Sequence, residues 1–229
     1  MRGALLLAGA LAAWGLAAPA QESDFLTVEG KLSSEDFYRL VSCRALPGGP
    51  CTVAPVRWGP DKAGDLSVGF VAIPRGYPKG PIERLFRALD HAIAEINGTG
   101  AALHLRRALR GERPDIALHV APVREGDLIR GTGIPGVDGQ TIGAALVTVW
   151  WDEAMSLTDA VIVLAEDLPP SDVIPVLLEE LTQATGLMTD IRSPHYEGLS
   201  VFSEDSNRVT RLGAQDREAL RRHYPPQEP

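Results

Sequence analysis

The chain carries two helical patterns with four strand-like runs between them, and this alternation constrains its fold more than any other feature. In the first pattern Ile82, Leu85, Phe86, Leu89, Ile93 and Ile96 recur at helical spacing between Pro81 and Gly98. A stripe of that kind has to be buried against a second layer. The second pattern opens at Ser171 or Asp172 as cap, tolerates Pro175 in its first turn and ends at Gly186. Residues 103–109, 115–120, 143–151 and 159–164 read as the intervening strands, and 57–58 and 66–73 as two earlier ones. Two helices on one mixed sheet give an α+β layer fold, closed by a short helix over 214–223. The segment 131–143 holds five Gly and one Pro and reads as loop; without Lys and a closing Ser/Thr it makes no phosphate loop.

The N-terminus has the grammar of an export signal. Arg2 precedes the uncharged apolar run Ala4 to Ala18, and Ala18-Pro19-Ala20 fits a small-x-small cleavage site. The expectation is a signal peptide over 1–20, cut after Ala20, and a periplasmic or secreted location, with no stable membrane anchor. An uncleaved anchor is the competing reading, and the run is short for a span. Charge narrows the partners. The chain has 22 Lys+Arg against 30 Asp+Glu, a formal charge of −8 that becomes −9 once Arg2 leaves. Such a balance lacks the basic footprint that nucleic-acid binding needs.

Residues 21–56 read as an N-terminal extension whose first part, 21–32, is a mobile start. Ser33 caps a short helix with Asp36 three residues on, and Phe37, Leu40 and Val41 give that helix one apolar face. Cys43 and Cys51 flank the turn-rich segment Arg44-Ala45-Leu46-Pro47-Gly48-Gly49-Pro50. In an oxidising compartment they are expected to close a disulfide with a loop-entropy benefit of about 2–3 kcal/mol. Asn97-Gly98-Thr99 matches a glycosylation acceptor and equally an ordinary helix end; the second reading is adopted.

The second helix carries the run Glu179-Glu180-Leu181-Thr182-Gln183-Ala184-Thr185-Gly186-Leu187. Glu179 and Gln183 lie four residues apart, one turn along a shared face, with Glu180 beside the first. In a zinc-peptidase helix two His hold those seats and the Glu after the first acts as base. From residue 57 to 226 the order of elements resembles the zincin metallopeptidase domain of the metzincin type: a twisted mixed sheet, a backing helix and an active-site helix ending at a Gly. In that resemblance Glu179 replaces the first His, Gln183 the second, Glu180 is the base and Gly186 the turn Gly. The third ligand would fall at Thr189, one residue before Asp190. Ser200-Val201-Phe202 is similar to the Ser-x-Met segment beneath the metal, and Leu212, Asp216, Leu220 and Tyr224 to the closing helix.

A narrower resemblance is to the exported proteobacterial proteins of domain-of-unknown-function family 2927, which carry Glu-Glu-Leu-x-Gln-x-x-Gly-Leu followed by an Asp. It is firm over 160–226 and looser over 57–150. The chain lacks the Cys those proteins often carry before the Glu pair, and their Gly-Met tail.

The residue types then limit the chemistry. A Gln amide is a weak zinc ligand, and an oxygen-only set of Glu179, Gln183 and Asp190 offers too few groups for a calcium or magnesium cage. No metal and no cofactor is expected. Glu180 is the candidate catalytic residue, and Glu179, Gln183, Asp190 and His195 form a pseudo-ligand or polar cluster. His195 could pair with Glu180 as acid and base. Three readings stay open: a buried polar network, a solvated Glu pair, or a hydrolase with an atypical site on Glu180, Glu179, Gln183 and Asp190. The reading carried forward is an exported zincin-like protein without standard zinc-peptidase activity, a binding or envelope-associated module with a peptide or protein partner in the cleft.

Overall fold

The computed structural model describes residues 25–226; the expected signal peptide lies outside the described residues. In chain order the elements are β1 (Phe25–Thr27), α1 (Ser34–Cys43), β2 (Arg57–Trp58), α2 (Pro60–Ala63), β3 (Leu66–Ala72), α3 (Lys79–Asn97), β4 (Leu105–Arg107), β5 (Ile116–Ala121), β6 (Ala145–Trp151), β7 (Ser156–Ala165), α4 (Val173–Gln183), β8 (Asp190–Arg192) and α5 (Ala214–His223).

β7 is the spine of a six-stranded sheet in the order β2-β7-β5-β3-β4, with β6 also paired to β7. Every pairing is parallel except β6 with β7. The fold is therefore mixed α and β around a mostly parallel sheet, in keeping with an α+β layer arrangement. Parallel strands need crossovers, and α3 supplies the one between β3 and β4. The link from β4 to β5 has no helix. It passes over the face of β3 at Gly69, where an added Cβ would sit 3.0 Å from Ala108 Cβ. A glycine inside a strand marks that close approach.

The two faces of the sheet are covered differently. Leu66, Val68, Ile116, Leu118, Ala160, Ile162 and Leu164 point into the main core, where α3 contributes Leu85, Leu89 and Ile96 and α4 contributes Leu177, Leu178 and Leu181. On the other face Ala121, Val161, Val163 and Ala165 pack against Ile129, Val137 and Ile142 from the glycine-rich loop. That loop is a second small core in its own right.

Residues 25–56 are built into this body. β1 pairs with β8 in parallel, Phe25 opposite Asp190. Phe37, Leu40 and Val41 are fully buried in the main core, each worth roughly 1.5–3 kcal/mol of transfer free energy. The Leu32 amide donates to the Tyr196 hydroxyl at 2.8 Å. Of the start expected to be mobile, the part from Phe25 onward is described, and Phe25–Thr27 is strand because β8 offers it a partner. Ser33 does cap α1, its hydroxyl accepting from the Asp36 amide at 3.0 Å. Cys43 and Cys51 form the disulfide.

Several boundaries differ from the sequence expectation. α3 starts at Lys79, and β7 starts three residues early because β6 pairs with it down to Leu157. Asp172 occupies the cap position of α4 but makes no capping bond; its carboxylate accepts from the Ser171 hydroxyl instead. Asn97 exchanges two bonds of 2.8 Å with the backbone of Leu105, so its amide is engaged at the end of α3.

Candidate functional site

α4 is apolar on nearly every side, with Val176, Leu177, Leu178 and Leu181 at most 1% exposed. A helix of that kind is held by the core all round, so its polar residues are placed firmly. Its exit is fixed by Gly186, at φ +104°. A Cβ there would stand 2.0 Å from the Val56 carbonyl oxygen and 2.9 Å from His223 Nε2. Only glycine fits both the backbone and the contact.

The turn returns the chain as β8, and this brings two of the singled-out residues together. Gln183 Nε2 donates to Asp190 Oδ1 at 2.8 Å, a buried bond between the last turn of α4 and the first residue of β8. Gln183 is 5% exposed and Asp190 7%. Glu180 is also buried. Glu179 is partly exposed. Burial, then the carboxylates of Asp190, Glu180 and Glu204, push its carboxyl well above the usual carboxylate range. Like charges crowded at low dielectric favour the protonated form of one of them.

Glu204 was missed by sequence reasoning. It reaches the corner because its amide donates to the Ile191 carbonyl at 3.1 Å. Arg192 then bonds Glu204 at 3.1 Å and Asp205 at 3.2 Å, and lies over the Phe25 ring at 3.7 Å. The cation thus joins the segment after β8 to β1.

His195 stands elsewhere in the network. It is partly exposed and its ring meets Tyr196 edge to face at 5.0 Å. Thr189, at the position of the third ligand in the resemblance, is buried, and its amide donates to the Val41 carbonyl at 3.2 Å. Among the described residues no group of three or more His, Cys, Asp and Glu is disposed to hold a metal ion.

The segment Ser200-Val201-Phe202 is tied down by Asp216, fully buried at the start of α5. Asp216 accepts from the Ser200 hydroxyl at 2.6 Å, the Val201 amide at 3.1 Å and the Gly213 amide at 2.8 Å. Burial pushes its carboxyl up despite these donors. Phe202 is buried and meets Phe37 edge to face at 6.0 Å. Behind Gly186, His223 lies 2.9 Å from the Val56 carbonyl and 3.4 Å from the Tyr38 hydroxyl. Burial pulls it down to about 4, so it is a neutral donor to Val56 at pH 7.

A cleft of about 110 Å³ opens at the C-terminal ends of β5 and β7, between Tyr77, Arg84, Leu164, Glu166 and Asp167. It does not include the Glu pair of α4. Compared with known protein families and with curated proteins, the chain finds no match.

Proposed function

We propose that the chain is an exported, zincin-like protein that lacks standard zinc-peptidase chemistry and serves as a binding or envelope-associated module for a peptide or protein partner. The observation that carries this reading is the Gln183–Asp190 bond. The side chain in the second ligand seat spends its donor inside the protein, and the carboxylate that follows the third seat is its acceptor. A buried amide and carboxylate so engaged make a structural polar contact, and the amide oxygen that remains is a weak zinc ligand. Glu179 adds to the case. The pKa of its carboxyl is raised by burial and by the carboxylates of Asp190, Glu180 and Glu204, and the helix offers no imidazole beside it. The resemblance to domain-of-unknown-function family 2927 and the N-terminal signal pattern support the exported location.

The partly exposed, elevated carboxyl of Glu179 also favours a second reading, a hydrolase with an atypical site. A protonated Glu179 beside Glu180 and Asp190 is the arrangement expected of a general acid with a neighbouring base. Peptide hydrolysis by the mature protein, with and without added zinc and in Glu180→Gln, separates the two. The first reading expects no turnover that depends on Glu180. Zinc-dependent cleavage abolished in Glu180→Gln would overturn it, and zinc-independent cleavage abolished in Glu180→Gln would establish the second.

A further inference from the structure

β3 runs on past the strand that covers its outer edge. β4 pairs with Leu66 to Val68 and no further. Beyond Val68 the chain has left the edge and crosses the sheet face at Gly69. From Gly69 to Ala72, β3 pairs with β5 alone among the described residues. The uncovered stretch reads Phe70-Val71-Ala72-Ile73, with no charge before Pro74. Exposed edges are ordinarily blunted by lysine, proline or a covering loop, because their open backbone templates another strand.

A cleft of about 260 Å³ opens beside this edge. Phe70, Phe86 and Leu89 are its apolar lining, and Arg107, Leu109 and Arg110 also line it. Phe70 and Phe86 meet edge to face at 5.1 Å. Arg107 lies over Phe86 at 4.9 Å and is anchored to Asp90 at 2.5 Å, so it is a fixed wall. Leu109 is 70% exposed and Val71 48%. The loop Arg106-Arg107-Ala108-Leu109-Arg110-Gly111-Glu112-Arg113 holds four Arg and one Glu in a chain of net charge −8. Arg106, Arg107 and Arg113 each have a carboxylate partner. Arg110 is exposed and has none among the described residues.

We propose that this edge docks an extended, acidic peptide segment of a partner protein. The segment would add as a strand along Phe70 to Ala72, place an apolar side chain in the Phe70–Phe86 cleft and set a carboxylate against Arg110. Backbone pairing gives such complexes their affinity and the pocket gives them their selectivity. A second copy of the chain fits less well, because the edge it would offer, Phe70 to Ile73, carries no carboxylate for Arg110. Asp65, Asp90, Glu112 and Asp159 balance the other three arginines, so the charge that an acidic segment feels here is that of Arg110, the chain's net negative charge being screened beyond about 8 Å at physiological salt. The site is separate from the α4 corner and stands whether or not that corner is catalytic.

The test is fluorescence anisotropy with a fluorescein-labelled Thr-Val-Thr-Val-Asp-Glu peptide. The comparisons are a Thr-Val-Thr-Val-Lys-Lys peptide and an acidic peptide N-methylated at alternate amides. Val71→Lys and Arg110→Glu change exposed side chains and keep the core intact, which circular dichroism checks. The acidic peptide is expected to saturate, to slow amide exchange at residues 70–72, and to bind Arg110→Glu about tenfold more weakly. Val71→Lys and N-methylation should each weaken it by at least as much. Absence of saturable binding, equal binding by Arg110→Glu, or equal binding of the lysine peptide would overturn the proposal. So would a homodimer released by Val71→Lys, which assigns the edge to a second copy.

Discussion

Gln183 reaches from the last turn of α4 to Asp190 at the first position of β8 and donates to its carboxylate at 2.8 Å. Both side chains are buried, so each is the other's substitute for water. Gln183→Leu keeps the volume and removes the donor, leaving a buried carboxylate short of a partner. The expected loss is about 1–3 kcal/mol, read as a lower midpoint in urea at an unchanged m-value. Asp190→Asn retains an acceptor and should lose less.

The histidine behind the turn makes stability depend on pH. His223 has its folded pKa pulled down to about 4 by burial, from an ordinary 6.5. The unfolded chain therefore binds the proton first as pH falls. The contribution of neutral His223 is fully present above pH 6.5 and is lost progressively down to about pH 4, by which point the loss amounts to about 3 kcal/mol. Glu179 and Asp216 act with the opposite sign. Their folded values are raised, so each costs stability as pH rises through its ordinary carboxylate range and beyond. Denaturation of the native protein and of His223→Gln across pH 4–7 isolates the first effect: the native curve should fall toward pH 4 relative to the variant.

Gly186 and Gly30 both have positive φ, at +104° and +65°. Nothing lies within 4 Å of a Cβ added at Gly30, whereas one at Gly186 would collide with Val56 and His223. Gly30→Ala should cost about 1 kcal/mol, the ordinary left-handed penalty. Gly186→Ala should cost more than about 3 kcal/mol or prevent folding, since backbone must move. Thermal unfolding of the two variants compares them directly.

The disulfide spans eight residues, from Cys43 at the buried end of α1 to Cys51. Replacing both by Ser should lower stability by about 2–3 kcal/mol. Because Phe37, Leu40 and Val41 hold α1 in the core independently, the doubly substituted chain should still fold, with a native-like circular dichroism spectrum at a lower melting temperature.

Much of the fold was legible where a single period runs long enough. The stripe from Ile82 to Ile96 and the apolar runs of β5, β6 and β7 announced their elements, with errors confined to the ends. The disulfide was legible because the two cysteines flank a turn. Contacts between short, distant elements carried no such signal. β1 and β8 are three residues each and lie more than 160 residues apart, so neither shows a period. Gly69 looks like any strand glycine until the loop through Ala108 and Pro114 crosses it. At the corner, the helix placed Glu179, Glu180 and Gln183 together, but the Asp190 contact depends on how the Gly186 turn redirects the chain. Glu204 arrives through a backbone bond to Ile191 that no spacing encodes. His195 follows the helix closely in sequence yet packs on Tyr196.

The most direct measurement is the metal content of the purified protein, by elemental analysis after dialysis against zinc, repeated on Gln183→His. An engaged Gln183–Asp190 pair predicts substoichiometric zinc in the native protein. Stoichiometric zinc that survives dialysis and is lost in Glu179→Ala would contradict it.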